Sequence, residues 1–388
     1  MEVKKDIPKK VFYMISAVLH FTFSGCYYST YPVIDTGQSR CYNDTTEITC
    51  PQPGEAFYGQ DAQYDGIKMS YQDNGDGTVT DLNTGLIWQK TPPIKRYTWD
   101  EAAAYAENLK LAGYDDWRMP TIKELYSLAA FYGNINTLTA YINTEYFDFE
   151  YPDISQGYRI IDTQYWSSNK YVGTTMYGDR SAFGFNFADG RIKAYPTGES
   201  GGPTATLHIR CVRGGNGYGK NSFVDNADNT ITDRATGLMW MKSDSGTTMN
   251  WKEALNYAEN LNYAGYSDWR LPNTKELQSI VDYTRAPDAV DPNLRNAAID
   301  PIFDITETES WFWTSTTHND NKFGIYICFG RAGSELLLPD GSQVNAHGAG
   351  AQRSDPKSGN PAGYPYGLGP QKDEIRIYNY VRCVRTVR

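Results

Sequence analysis

Three groups of residues have types that could do chemistry. The first is "GESGGP", Gly198–Pro203, where Ser200 stands among glycines as a serine nucleophile would. A serine nucleophile needs a histidine base, and a carboxylate to orient that base. The only histidine before Ser200 is His20, inside an apolar N-terminal stretch, so a glycine turn is expected. The second is "NGDGTV", Asn74–Val79, which has the acid and glycine spacing of a calcium loop. In that register Gln72 and Asn83 fall at the first and twelfth positions, where such a loop needs acids. A hairpin turn is expected there. The third is the histidines: His20, His208, His318 and His347 have no close ligand spacing. No metal, cofactor or catalytic residue is predicted.

The elements that would position any site come twice. "GYDDWRMPTIKEL", Gly113–Leu125, returns 152 residues later as "GYSDWRLPNTKEL", Gly265–Leu277, with nine of thirteen positions identical. Trp117, Arg118, Pro120 and Glu124 match Trp269, Arg270, Pro272 and Glu276, and Trp88 and Trp99 match Trp240 and Trp251. Two copies at so long a period mean tandem modules rather than a solenoid. Each copy reads as a hairpin, two helices and further strands, an α+β class. Thr98 with Glu101, Asn250 with Glu253, Thr121 with Glu124 and Asn273 with Glu276 have capping-box spacing. Gly113 and Gly265 are expected to stop the first helix of each copy. Within the motif Trp117 and Leu125 read as core, and Arg118 as satisfying carbonyls or a carboxylate. Ligand binding by Asp116 and Arg118 is the alternative.

Charge and the N-terminus bound the partners. The net charge is −10, which opposes a nucleic-acid partner. Lys4, Lys5, Lys9 and Lys10 precede the apolar Val11–Phe23, a signal-peptide pattern too short to span a bilayer. "FSGC" then places Cys26 where a lipidated first residue would stand, with simple secretion as the alternative. The protein is expected to be exported, at the outer membrane or cell surface or secreted. It would touch a membrane only through that lipid. Export permits disulfides, and Cys41–Cys50 is expected to staple a polar N-terminal segment. Cys211, Cys328 and Cys383 are expected to be buried free thiols. Cys328 lies opposite the strand face of Phe323, Ile325 and Ile327, while Cys383 shares the face of Ile375 and Ile377, so parity separates them.

"DNGDGTVTDLNTGLIWQK", the paired "WRMPTIKEL" and "WRLPNTKEL", the "YWSS" and "FWTS" strands and the terminal "RCVR" together carry a resemblance. Over residues 36–388 the chain resembles the C-terminal domain family of the Legionella collagen-like adhesin. The resemblance implies an exported bacterial protein, adhesive or glycan-binding, with two C-type-lectin-like modules, each of two helices plus an antiparallel sheet. That adhesin binds sulfated polysaccharide, a ligand this acidic chain does not favour. Sulfatase-modifying relatives use cysteine chemistry, which only Cys328 and Cys383 could imitate, and the first copy has Ala188 where the second has Cys328.

The organisation expected is therefore a signal peptide over 1–25, an N-terminal segment over 26–72, modules over 73–213 and 223–388, and a glycine-rich linker over 214–222. The second module carries a long loop over 332–374. From Pro339 to Pro370, twelve of thirty-two residues are Gly or Pro. Tyr364 and Tyr366 on that loop, with Trp311 as a further candidate, are expected to offer rings to a glycan. The functional expectation is a non-catalytic surface protein that binds a glycan or a surface protein, with homo-oligomers allowed. The alternatives are a self-assembling envelope or filament protein and, third, a sulfatase-modifying type of enzyme.

Overall fold

A computed structural model describes residues 30–215, 217–318 and 321–387. The expected signal peptide and Cys26 lie outside the described residues.

Each copy opens with a hairpin whose turn is closed by its own acids. Asp73 accepts the Gly75 N–H at 2.9 Å, and Asp76 accepts the Thr78 N–H at 3.1 Å and its hydroxyl at 2.6 Å. Asp225 and Asp228 do the same for Ala227 and Thr230. Such side chain-to-backbone bonds are turn chemistry, so the acidic stretch is a hairpin. Strands Tyr71–Asp73, Thr78–Asp81 and Ile87–Gln89 form an antiparallel sheet that Val212–Arg213 completes. Phe223–Asp225, Thr230–Asp233, Leu238–Met241 and Val384–Thr386 form its twin. In both, the "RCVR" strand returns from the far end of the module to pair with the strand that carries Trp88 or Trp240.

The helices are α1 (Trp99–Asn108), α2 (Ile122–Ser127), α3 (Trp251–Glu259) and α4 (Thr274–Ser279), and all four start with the expected capping box. Their ends differ from expectation. α1 stops at Asn108, and Gly113 sits further on, in the tight turn that bridges Leu111 to Tyr114. Ala112 and Gly113 have φ of 55° and 79°, and Ala264 and Gly265 have 53° and 80°. Positive φ at both central residues is a type I′ turn, which glycine at the second position relieves.

A single six-stranded antiparallel sheet joins the copies. Its order is Trp311–His318, Phe323–Cys328, Gln352–Pro356, Arg191–Pro196, Ser181–Asn186, Gln164–Lys170. Read from either edge inward, each half supplies three strands, and the halves meet where Gln352 pairs with Ile192. One apolar core runs across this junction, from Tyr71, Tyr126 and Phe185 to Tyr283, Phe312 and Val384. Each copy adds a smaller cluster, around Trp166 and Ile209 in the first and Trp313 and Val381 in the second. The architecture is mixed α+β with antiparallel sheets, and the two modules are halves of one body.

Three expectations change. The stretch Pro339–Pro370 is not one surface loop, because Gln352–Pro356 inside it is a fully buried central strand. The inserted residues form a hairpin, Gly333–Leu337 with Gln343–Asn345, and a tail over 357–374. The linker over 214–222 is held to both modules: Lys123 Nζ donates to Gly219 O at 3.1 Å and Asn221 Oδ1 at 2.9 Å, and Tyr218 packs on Tyr31. The parity argument for Cys328 and Cys383 also fails. Residues before Cys383 are irregular, with Ile377 at φ 63°, and both sulfurs join the same apolar cluster. They are nonetheless free, as is Cys211, and all three are buried. The Cys41–Cys50 disulfide is present.

Candidate functional site

The repeated motif holds structure together residue by residue. Trp117 and Trp269 are buried, and their indole N–H groups donate to Leu111 O and Tyr263 O. Arg118 forks onto Glu124 at 2.7 and 2.6 Å, and Arg270 onto Glu276 at 2.5 Å for both bonds. Those glutamates also cap the next helix, so one carboxylate serves both the arginine and the N-terminus. Pro120 O and Pro272 O accept the N–H of Ser168 and Ser315 at 2.8 Å, beside a register shift in each strand. Asp116 pairs with Arg213 and Asp268 with Arg385. The lysine of each copy crosses to the other. Lys123 Nζ donates to Ser279 O at 2.6 Å, and Lys275 Nζ to Ser127 O at 2.9 Å, so each caps the C-terminal end of its counterpart's helix. Burial lowers Lys123 to about 8 and Lys275 to about 7.

Sequence reasoning missed the buried arginines of "RCVR". Arg210 is fully buried and donates to Gln89 O, Lys90 O and Asp148 O at 2.8, 2.5 and 2.6 Å. Arg382 does the same for Met241 O, Lys242 O and Asp304 O. Each guanidinium also lies near two aromatic rings, Phe147 and Tyr165 or Phe303 and Phe312. The only signal was their place in the repeat.

Several open concavities remain, one of them about 790 Å³ between residues 53–58 and α3; two others bear on recognition. A cleft of about 370 Å³ lies where the N-terminal segment meets both modules, lined by Gln38, Arg40, Tyr132, Thr137 and Thr139 among others. Gln38 shapes one wall by pairing both its amide atoms with the Thr317 backbone at 2.9 Å. Tyr132 is 45% exposed, and its ring lies so close over Gly37 that a Cβ there would stand 3.2 Å away. A groove of about 470 Å³ runs along α1, lined by Trp99, Ala103, Ala106, Arg118 and Met119. On the second module the matching face is covered by residues of the N-terminal segment: Phe57 lies 6.4 Å from Trp251, and Tyr64 bonds Glu259.

The Lcl C-terminal domain matches at residues 77–213 and again at 229–343, more than half of the chain. The chain belongs to the Lcl C-terminal domain family. No curated protein matches it. The second Lcl segment ends at 343, although the buried Gln352–Pro356 strand and the closing Val384–Thr386 strand lie beyond it.

Within this Lcl pair the predicted ring candidates separate. Trp311 is not a platform: it is 1% exposed, stacked on Tyr326 at 4.7 Å, roofed by Arg376 at 3.8 Å, and donates to Arg331 O. Tyr364 is half-buried, and Tyr366 is 76% exposed. Both stand in the tail over 357–374, away from the two concavities. Ser200 sits in a turn, where its hydroxyl donates to Gly178 O. Burial pushes the Cys211 thiol up to about 12 and raises Cys328 and Cys383 as well, so none is poised as a thiolate. Burial likewise lowers His318 and His347, and takes His208 to about 4. Among the described residues no helix is long and apolar enough to cross a membrane.

Proposed function

We propose that this protein is a non-catalytic recognition protein of the cell exterior, exported and either held by a lipid on Cys26 or secreted. Membership of the Lcl C-terminal domain family supports a surface-associated role. The C-type-lectin-like description of each module belongs to the same reading. The ligand is a neutral glycan or a surface protein, and the observation that carries this is the cleft beneath Tyr132. It is polar, open, and built jointly by the N-terminal segment and both modules. A tyrosine ring fixed over Gly37 offers a face for sugar C–H groups, and the Arg40, Thr137 and Thr139 side chains offer hydrogen bonds beside it. Tyr366 is a second ring outside the cleft. Catalysis through Cys328 or Cys383 has no place in this reading, because both sulfurs are buried in apolar surroundings.

The test is a glycan array with the purified protein beside Tyr132→Ala and Tyr366→Ala. A hit on the intact protein that weakens at least tenfold in Tyr132→Ala supports the cleft. A hit weakened only in Tyr366→Ala moves the site to the tail. No hit on any glycan, with the protein folded, ends the glycan reading and leaves protein adhesion.

A further inference from the structure

The two modules differ in one face, and the chain shows what that face holds. On the second module, Phe57 lies beside Trp251, Asp61 accepts the Thr316 hydroxyl at 2.6 Å, and the Tyr64 hydroxyl donates to Glu259 while its ring sits 5.3 Å from the Arg270 guanidinium. This covering leaves Trp251 and Thr316 at 0% exposure and Leu255 and Ser315 at 1%. Every receiving group has a counterpart on the first module. Trp99 is anchored as Trp251 is, by an indole N–H to a strand carbonyl, at 2.9 against 2.8 Å. A lysine lies over each indole, Lys170 at 4.3 Å and Lys357 at 4.1 Å. Asn169 stands for Thr316, Glu107 for Glu259 and Arg118 for Arg270. Yet here Trp99, Ala103 and Asn169 are part-exposed and Glu107 and Ser168 are exposed. The Arg118 side chain is 31% exposed against 12% for Arg270.

We propose that this open face of the first module is a docking groove for an extended segment of a partner protein. The segment carries an aromatic ring, a carboxylate four residues on, and a tyrosine three residues further, laid as Phe57, Asp61 and Tyr64 are laid on the other module. The polar groups of the groove favour this occupant, since its charged lining residues Glu107, Arg118, Glu124 and Lys220 balance. Asn169 Oδ1 accepts the Ile122 N–H at 2.8 Å, which leaves its amide N–H groups to donate to a carboxylate. Exposed Lys220 adds a cation to the rim. One charge is reversed: Lys252, which lies over Phe57 at 5.4 Å, is Asp100 in the first module. The partner's ring is therefore expected beside a basic rather than an acidic neighbour.

The probe is a labelled peptide of this chain's own residues 51–66, titrated into the full protein with polarisation as the readout. Saturable binding with Kd below about 1 mM is expected. It weakens at least tenfold in Ala103→Arg and in Glu107→Ala, which are part-exposed and exposed positions. It weakens as much when the peptide's own Phe57 and Tyr64 are both alanine. No saturable binding overturns the proposal. Binding undiminished in both protein variants also overturns it, because the peptide is then displacing the chain's own segment from the second module. A concentration-dependent dimer of the peptide-free protein that Ala103→Arg abolishes assigns the groove to a second copy and overturns the partner reading.

Discussion

The two modules repeat one scaffold and differ in how it is finished. Caps, crossed lysines, arginine forks and buried "RCVR" arginines are duplicated. The N-terminal segment touches both modules but covers the helix face of α3 and leaves that of α1 open, and only the second module carries the inserted hairpin. What recurs is therefore what the fold requires, and what does not recur is where recognition is free to vary. The motif that first draws the eye, with its tryptophan, arginine and glutamate, belongs to the first category, although Arg118 also lines the open groove of the first module.

The comparison is broken most completely at the shared sheet. Deleting Pro339–Pro370 removes the buried Gln352–Pro356 strand, and is expected to abolish cooperative unfolding of the whole chain in urea. Two independent modules would instead leave the first one folded. Next come the matched arginines. Arg210→Met and Arg382→Met each strand three buried carbonyls, for a loss of about 3–5 kcal/mol apiece. Both should leave a single transition by calorimetry, and two resolved transitions would separate the halves. The tryptophans sharpen the contrast between faces. Trp251→Ala should cost about 4 kcal/mol, in line with a fully buried aromatic, and Trp99→Ala less than half of that in the same denaturation series. Cys41→Ser should cost about 2–3 kcal/mol, and should raise amide exchange on α3 while α1 stays unchanged.

The last effect is in pH, spread over several units. Burial raises Asp61 to about 7, above its unfolded value, so its contribution to stability is complete below pH 4 and is lost as pH rises towards 7. Burial lowers Lys275 to about 7, so its contribution is lost as pH falls from 10 towards 7. Together they place a minimum of stability near pH 7, with each limb at most about 1.4 kcal/mol per pH unit. Asp61→Asn should flatten the acid limb and Lys275→Met the alkaline limb, read from urea midpoints between pH 4 and 10.

Much of the local structure was legible. Capping boxes, acid-closed hairpins, the disulfide and the α+β class follow from short-range spacing, because those interactions are made within a few residues. The junction was not legible, because nothing in a strand's own pattern says which edge it will meet. The joining strand also reads as a loop. Gln352, Arg353, Ser354 and Asp355 are all buried, and the partners they do have are distant in sequence: Asp373 for Arg353, and the Arg376 and Ile377 N–H groups for one oxygen of Asp355. Flanking glycines and prolines then completed the disguise. Trp311 misled for the converse reason: a ring that could serve a ligand serves Tyr326 and Arg376 instead. The clefts depend on how the N-terminal segment lies across both modules, which no motif announces.

The crossed lysines also bear on heredity. A repeat of 152 residues is a substrate for recombination that excises one copy. The shortened chain would retain a lysine with no foreign helix end to receive it, and a helix end with no foreign lysine. Excision of a copy would thus be felt at the helix ends first, where each lysine would lose its cross-module acceptor.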